Sequence, residues 1–287
     1  MRSSRRPAVN PFTLKIIVTN ANNSAADVSF YVCPQCKGEL AATGATLQCS
    51  ACRHSYAVRQ QIPDFILEDL TQSANPVLRQ VKRLDLLAHI YESKFWYPVV
   101  LRLFAGQGLS FPRLINLIKE MVGPVNGLVL DVACGPGTFG RRIASPSRRV
   151  YGIDISPGML EQGAAYARRE GVTNMHFSRA QVETLPFRDG VFDAAICSGS
   201  LHLFQDPGRA LAQIGRTLKS GAPLAIVTFT AGKTGIFRFP RVLQRARKSG
   251  GRVFSVSELE RLLSENGFGR CKSSVYGSLL ACRAEKG

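Results

Sequence analysis

From Leu128 onward the chain alternates short apolar runs with longer stretches whose apolar residues recur every three or four positions. The runs fall at 128–133, 149–153, 174–178, 192–197 and 223–229. The stretches "GMLEQGAAYARREG", "DPGRALAQIGRTLKSG" and "SVSELERLLSENG" carry the helical period. Strand-length and helix-length segments in this alternation predict an α/β fold, a parallel sheet with helices on both faces. The tail, "CKSSVYGSLLACRA", supplies one or two final strands. Upstream, "NPVLRQVKRLDLLAHIYE" opens with Asn75 as N-cap and Pro76 at the first helical position, with Val77, Val81, Leu84, Ala88 and Tyr91 near one face. A further helix, "SFPRLINLIKEMVG", runs from a Ser110 cap to Gly123.

The chain has 287 residues, room for one large core and a small appendage. We divide it into a basic arm (1–29), a cysteine-paired module (30–67), a helical linker (68–124) and the alternating domain (125–287), which holds a basic cap insertion at 231–253. The arm contains Arg2, Arg5, Arg6 and Lys15 and no acid before Asp27, which suits a disordered tail or a short plastid transit segment. No run of about 18 apolar residues is present, so no membrane insertion is expected. No signal peptide is evident, which points to a reducing, cytoplasmic setting without disulfides. Cys134 and Cys197 lie in apolar, strand-like surroundings and read as small buried hydrophobes. Thirty-seven Lys and Arg against 20 Asp and Glu give a net charge of +17. That excess suits an anionic partner, or serves solubility alone.

The pairs are spaced Cys33-x2-Cys36 and Cys49-x2-Cys52, twelve residues apart. Each C-x2-C forms a knuckle whose sulfurs face one point, and two knuckles supply the four thiolates of a closed structural zinc site. "KGEL" and "ATLQCSAC" then read as ribbon strands. A thioredoxin-like redox pair needs only one C-x2-C; His54 in place of Cys52 is the other rival. A separate module of this kind is expected to unfold on loss of one ligand and to leave the rest of the chain intact.

The informative stretch is "LVLDVACGPGTFGRRIA": an apolar strand ending in Asp131, a glycine-rich turn, then a helix. The next strand ends in Asp154, an acid placed to accept hydrogen bonds from a ribose diol. A dinucleotide fingerprint reads G-x-G-x-x-G, whereas here the pattern is D-x-A-x-G-x-G, with the acid ahead of the glycines. It resembles motif I of class I S-adenosylmethionine-dependent methyltransferases. "RAQVETLPFRDGVFDAAICSGSLHLFQDPGRALAQIGRTLKSGAPLAIVTF" resembles the "type 11" pattern of that family, and the likeness extends over about 125–285. It implies a Rossmann-like sheet of seven strands with S-adenosylmethionine as cofactor. By position, Asp131 would orient the methionine amino group through the loop, with Ala133 replacing the first motif glycine. Gly135 and Gly137 would allow close approach, and Asp154 would hold the ribose hydroxyls. Ile155 would flank the adenine, Gln181 and Val182 would meet its edge, and Ser198 would line the site near the methyl. Gln181 stands where the family has an Asp. "AGKT" at 231–234 imitates the end of a P-loop, but Val227 occupies the position of its first glycine.

His202, just after the fourth strand, is the candidate general base or substrate contact; a merely packed histidine is the alternative. No [DN]-P-P-[YFW] motif follows that strand, and Ile196 precedes Cys197 where cytosine-C5 RNA enzymes carry proline. The ribbon ahead of the sheet resembles two groups. The ribosomal RNA guanine-N1 methyltransferases close their metal site with Cys-x3-His, and Arg53 stands where that spacing needs histidine. The better likeness is to plant chloroplast and bacterial methyltransferases with a Trm112-like module, which share "CPQCKGEL…CSACRHSYAVRQQIPDF" and an aromatic segment like "YESKFWYPVV". The basic stretch "KTGIFRFPRVLQRARKSGGR" is a track for RNA phosphates, an amphipathic lid against anionic lipid, or a solvated segment. Taken together, the chain is expected to methylate a small organic acceptor of quinone, phenol or natural-product type. The alternative is methylation of a ribosomal RNA guanine, with RNA as partner. Oligomeric state is not legible.

Overall fold

The computed structural model describes residues 17–19, 25–27, 29–70, 85, 90–93, 95–232, 234–248 and 251–287. The arm and transit readings of 1–29 fall mostly outside these. Within them, β1 (Ile17–Thr19) and β2 (Ala25–Asp27) pair as an antiparallel hairpin, an element the arm reading did not foresee. The helix expected over 75–92 also lies largely outside the described residues, although Asp85 is helical.

The cysteine-bearing ribbon has strands β3 (Leu40–Thr43), β4 (Thr46–Cys49), β5 (Ser55–Arg59) and β6 (Ile62–Pro63), in spatial order. The first strand begins at Leu40, not at Lys37, because Lys37 sits at a φ of 61° and ends the knuckle. Two helices follow, α1 (Trp96–Ala105) and α2 (Phe111–Val122). Helix α2 matches the sequence expectation: the Ser110 hydroxyl accepts the Arg113 amide and Gly123 closes the end. Helix α1 falls in the linker expected to be helical; apolar residues occupy most of its circumference, Arg102 excepted, so no single face marked its bounds.

The alternating region is β7 (Gly127–Val132), α3 (Thr138–Ile143), β8 (Arg148–Asp154), α4 (Pro157–Glu170), β9 (Met175–Arg179), β10 (Ala194–Ser198), α5 (Pro207–Thr217), β11 (Pro223–Phe229), α6 (Pro240–Lys248), α7 (Val256–Glu265), β12 (Phe268–Tyr276) and β13 (Leu279–Lys286). Seven strands form one sheet in the order β12-β13-β11-β10-β7-β8-β9, with β7 to β11 parallel and β13 antiparallel to both neighbours. This is the Rossmann-like sheet of seven strands that the resemblance implies. Helices α4, α5 and α7 start where the sequence marks them: Ser156, Asp206 and Ser255 accept backbone amides three residues on, and Ser255 and Glu258 form a capping box.

Strand period two sorts the core into two faces. Leu130, Val132, Ala195, Cys197, Leu224 and Ile226 pack with α5 and α7. Val129, Ile196, Ala225 and Val227 pack with α1, α2 and α3. The ribbon is not a separate body. Phe30, Tyr31, Leu47, Tyr56 and Phe65 share the first core with Tyr151, Phe187 and Phe192. The chain after β6 lies along the open edge of β9: Asp64 bridges Arg179, and the Phe65 amide donates to the Arg179 carbonyl at 2.8 Å. An edge strand left bare would template unwanted pairing, and the chain after the ribbon pairs with the carboxyl end of this one. Burying one large aromatic is worth about 1.5–3 kcal/mol, so this shared core binds ribbon to sheet strongly.

Candidate active site

The cysteines come together first through repeated local geometry. In each knuckle the residue after the second cysteine adopts a left-handed φ, 61° at Lys37 and 64° at Arg53. The same two backbone bonds recur: Lys37 N to Cys33 O and Cys33 N to Gly38 O, then Arg53 N to Cys49 O and Cys49 N to His54 O. The four sulfurs lie within 4.8 Å of one another, with Cys33–Cys52 at 3.6 Å and Cys36–Cys49 at 3.5 Å. A tetrahedral zinc thiolate site has sulfur edges of about 3.8 Å, so the set fits that ion. Gly38 has to be glycine: a Cβ there would lie 2.8 Å from the Cys49 sulfur. His54 Nδ1 sits 3.4 Å from the Cys52 sulfur and is a neighbour of the cluster, not a member. Tyr56 Oη lies 3.0 Å from the Cys33 sulfur.

The second site forms where the sheet changes direction. Strands β8 and β9 lie to one side of β7 and β10 to the other, and a crevice opens beyond the carboxyl ends of strands at such a switch point. A cleft of about 860 Å³, its open mouth included, occupies that place. Ala133, Gly135, Asp154, Ile155, Val182 and Ser198 all line it, as the sequence expected. Ala133 holds a φ of 50° and Gly135 one of 55°. The Ala133 methyl is strained there by about 1–2 kcal/mol, which is why a glycine suits this position. Asp154 is buried and accepts Gly135 N and Ser156 N, each at 2.9 Å, so the strand-tip acid clamps the loop it faces. Burial raises its carboxyl above the usual range.

Three expected residues lie elsewhere, and one is held behind the loop. Gln181 faces away: its amide donates to Glu68 at 2.5 Å across a separate hollow against the ribbon. Gly137 does not line the cleft but closes the turn, where a Cβ would strike Phe177 at 2.8 Å. His202 is buried behind the cleft with its ring 4.2 Å from that of Phe229, and burial pushes its imidazole down to about 4. It is therefore neutral, the form a base needs, but it does not line the cleft. Asp131 is buried on the α3 side of the sheet, accepting the Gly140 amide at 3.0 Å.

Burial, with the nearby Asp154 charge adding to it, pushes the Asp131 carboxyl up to about 7. A carboxyl whose folded pKa exceeds its unfolded value favours the fold most where it is protonated, below about 4. That advantage is lost as pH rises toward 7. Asp131→Asn keeps an oxygen for Gly140 and carries no charge. Its melting temperature relative to the native chain should rise between pH 5 and pH 8; parallel curves for the two would refute this account.

Two residues of the segment after the ribbon meet the cleft and the helix behind its loop, and only an aromatic likeness hinted at them. Tyr91 lines the cleft, its phenol pushed up to about 12 by burial. Glu92 accepts Thr138 Oγ1 at 2.5 Å and pairs with Arg141. The Arg141 side chain is fully buried, pairs also with Glu170, and donates to the Pro136 carbonyl at 3.2 Å. The first of two arginines in "GRRIA" carries no signal of this role. Glu183 also lines the cleft, its carboxyl raised by burial. On the rim, Arg252 donates its amide to His202 O and its guanidinium to Gln205 O, tying the basic cap to the cleft wall of Leu203, Phe204 and Gln205.

Residues 129–221 match the family model described as a methyltransferase domain, and residues 29–60 that of a Trm112p-like protein. An uncharacterised chloroplast methyltransferase of Arabidopsis thaliana is 28% identical over 225 residues, covering 71% of this chain and 62% of its own. A demethylmenaquinone methyltransferase of Renibacterium salmoninarum is 36% identical over 137 residues, covering 47% and 55%. The chain thus spans somewhat over half the length of these relatives. Among solved structures, a phosphoethanolamine N-methyltransferase of Haemonchus contortus in complex with S-adenosyl-L-methionine aligns with a TM-score of 0.56 at 14% identity. It covers 70% of this chain and 59% of its own, a likeness of fold.

Proposed function

We propose that this chain, a methyltransferase domain behind a Trm112p-like module, transfers the methyl group of S-adenosylmethionine to a small organic acceptor of quinone or phenol type. The carrying observation is the cleft at the sheet's switch point, lined by Asp154, the left-handed Gly135 and largely apolar side chains. The residues suit the cofactor. Gly199 also lines the cleft at a φ of 77°, and a Cβ there meets nothing within 4 Å, so the fold keeps room at that wall. Asp154 would accept the ribose hydroxyls, Ile155, Met159 and Val182 would flank the adenine, and Ser198 would face the methyl end. The cofactor brings its methyl already activated on a sulfonium; the chain's task is to position and desolvate.

Leu203 and Phe204 give the rim an apolar character that suits a flat, weakly polar acceptor better than a nucleotide. The demethylmenaquinone relative agrees with that class. Where the acceptor must lose a proton, Glu183 is the group in the cleft able to take it, in place of His202. The four thiolates of Cys33, Cys36, Cys49 and Cys52 would hold one zinc, a closed site that serves structure.

The test is transfer of radiolabelled methyl from S-adenosylmethionine to cell extract separated into lipid-soluble, water-soluble small-molecule and nucleic-acid fractions. Label in the small-molecule fractions, lost with Asp154→Ala, supports the reading. Label confined to ribosomal RNA would replace it with the RNA alternative.

A further inference from the structure

We propose that α1 and the basic cap form one surface that docks onto an anionic lipid bilayer. The proposal goes beyond the reaction and does not depend on the acceptor. Helix α1 buries Tyr97, Leu101 and Ala105 against the sheet. Yet its opposite side is also apolar: Val99 is 54% exposed and Leu103 49%, one turn apart, continuing from Phe95 at 66%. A helix that is apolar on both its buried and its outward side is normally buried there too or meets lipid, and here only Arg102 breaks the apolar sequence of α1. No helix among the described residues is long and apolar enough to cross a membrane, so lipid contact here means lying on its surface.

The cap adjoins this stripe. The Phe104 ring on α1 lies 4.4 Å from that of Phe229 and 5.4 Å from that of Phe237, and Ser278 ties the two segments by accepting Phe237 N and donating its own amide to Phe104 O. Beyond Phe237 the exposed Phe239 (49%) sits under the Arg238 guanidinium at 4.5 Å. Arg238, Arg241, Arg245 and Lys248 are exposed on the cap, and Arg102 on α1. Among the described residues none of these five forms an ion pair.

The charge pattern selects the partner. No Asp or Glu occurs between Glu92 and Glu120, nor between Asp206 and Glu258. The surface therefore offers insertable apolar side chains within an acid-free cationic frame, which complements anionic headgroups over hydrocarbon. It also lies at the carboxyl end of β11, beside the cleft rim that Arg252 braces. A docked enzyme would hold its acceptor side near the membrane.

Flotation of the full chain with phosphatidylcholine vesicles, with and without about one third phosphatidylglycerol, tests this. Binding is expected to the anionic vesicles alone and to weaken with salt. Replacing Arg238, Arg241 and Arg245 by Gln should lower partitioning roughly a hundredfold, since each cation near such a surface contributes about fivefold. Val99→Ser, Leu103→Ser and Phe239→Ser together should lower it at least about tenfold. The melting temperature and S-adenosylmethionine affinity should stay unchanged in both variants. Failure to bind, equal binding to neutral vesicles, or variants that float like the native chain would overturn the proposal. A large fall in melting temperature in the serine variant would show that the chain itself covers the face. A concentration-dependent dimer dissolved by the serine changes would assign it to a second copy. Preferential retention on RNA at physiological salt, lost with the arginines, would assign it to nucleic acid.

Discussion

Asp154→Ala should weaken S-adenosylmethionine binding by roughly 30- to 1,000-fold, corresponding to about 2–4 kcal/mol. The size reflects two roles of one side chain. Its oxygens hold Gly135 N and Ser156 N at 2.9 Å, so the loop loses its clamp when they are removed. The same carboxylate would accept the ribose hydroxyls in the complex. Gly135→Val should abolish binding, because a β-branched residue at a φ of 55° strains the turn and its side chain fills cleft space. Titration calorimetry on both variants is the measurement, with thermal melting as the check on folding. Unchanged affinity in the two would remove the methyltransferase assignment.

Cys49→Ser should lower stability by about 5 kcal/mol or more, with a melting temperature down by about 10 °C or more. It should do so in one cooperative transition. A self-contained ribbon would unfold alone, but Phe30, Tyr31, Leu47, Tyr56 and Phe65 belong to the same core as Tyr151, Phe187 and Phe192. Releasing the ribbon therefore strips aromatic cover from the sheet. It also frees Arg179, which Asp64 holds at 2.9 Å while the same guanidinium supports the Ile155 carbonyl at 3.0 Å on the cleft wall. Cofactor affinity should fall with stability. Metal analysis of the native chain should give one zinc per molecule. A variant that melts in two separate steps with full cofactor affinity would show that the ribbon is independent after all.

Local pattern carried the strands, the capped helices and the two motifs. Strands β7 to β11 fall within about two residues of the apolar runs, because a strand buried on both faces must be apolar throughout. Ser110, Ser156, Asp206 and Ser255 mark their helices because the orphan amides of a helix start need a side-chain acceptor close in sequence. The cysteine spacing shows its cluster for the same reason: each knuckle closes within six residues. Likewise the loop from Ala133 to Gly137 and the acid at Asp154 are set by where strands end.

Side-chain direction and long-range partnership were decided only in three dimensions. Gln181 and Val182 are adjacent in sequence, yet one turns to Glu68 just after the ribbon and the other lines the cleft. His202 sits beside residues that line the cleft, but its ring packs on Phe229 from a distant strand and is held neutral by burial. Tyr91 joins the cleft, and the Glu92–Arg141 pair braces its loop at Pro136, from segments whose meeting no spacing encodes. The ribbon's place on the edge of β9 is of the same kind. Periodicity reports the face a residue shares with its own element, whereas desolvation and pairing depend on what packs against that face. Sequence by itself determined the sheet, its caps, the cysteine cluster and the motif loop; packing decided which polar groups reach the cleft and bound the ribbon to the sheet's core.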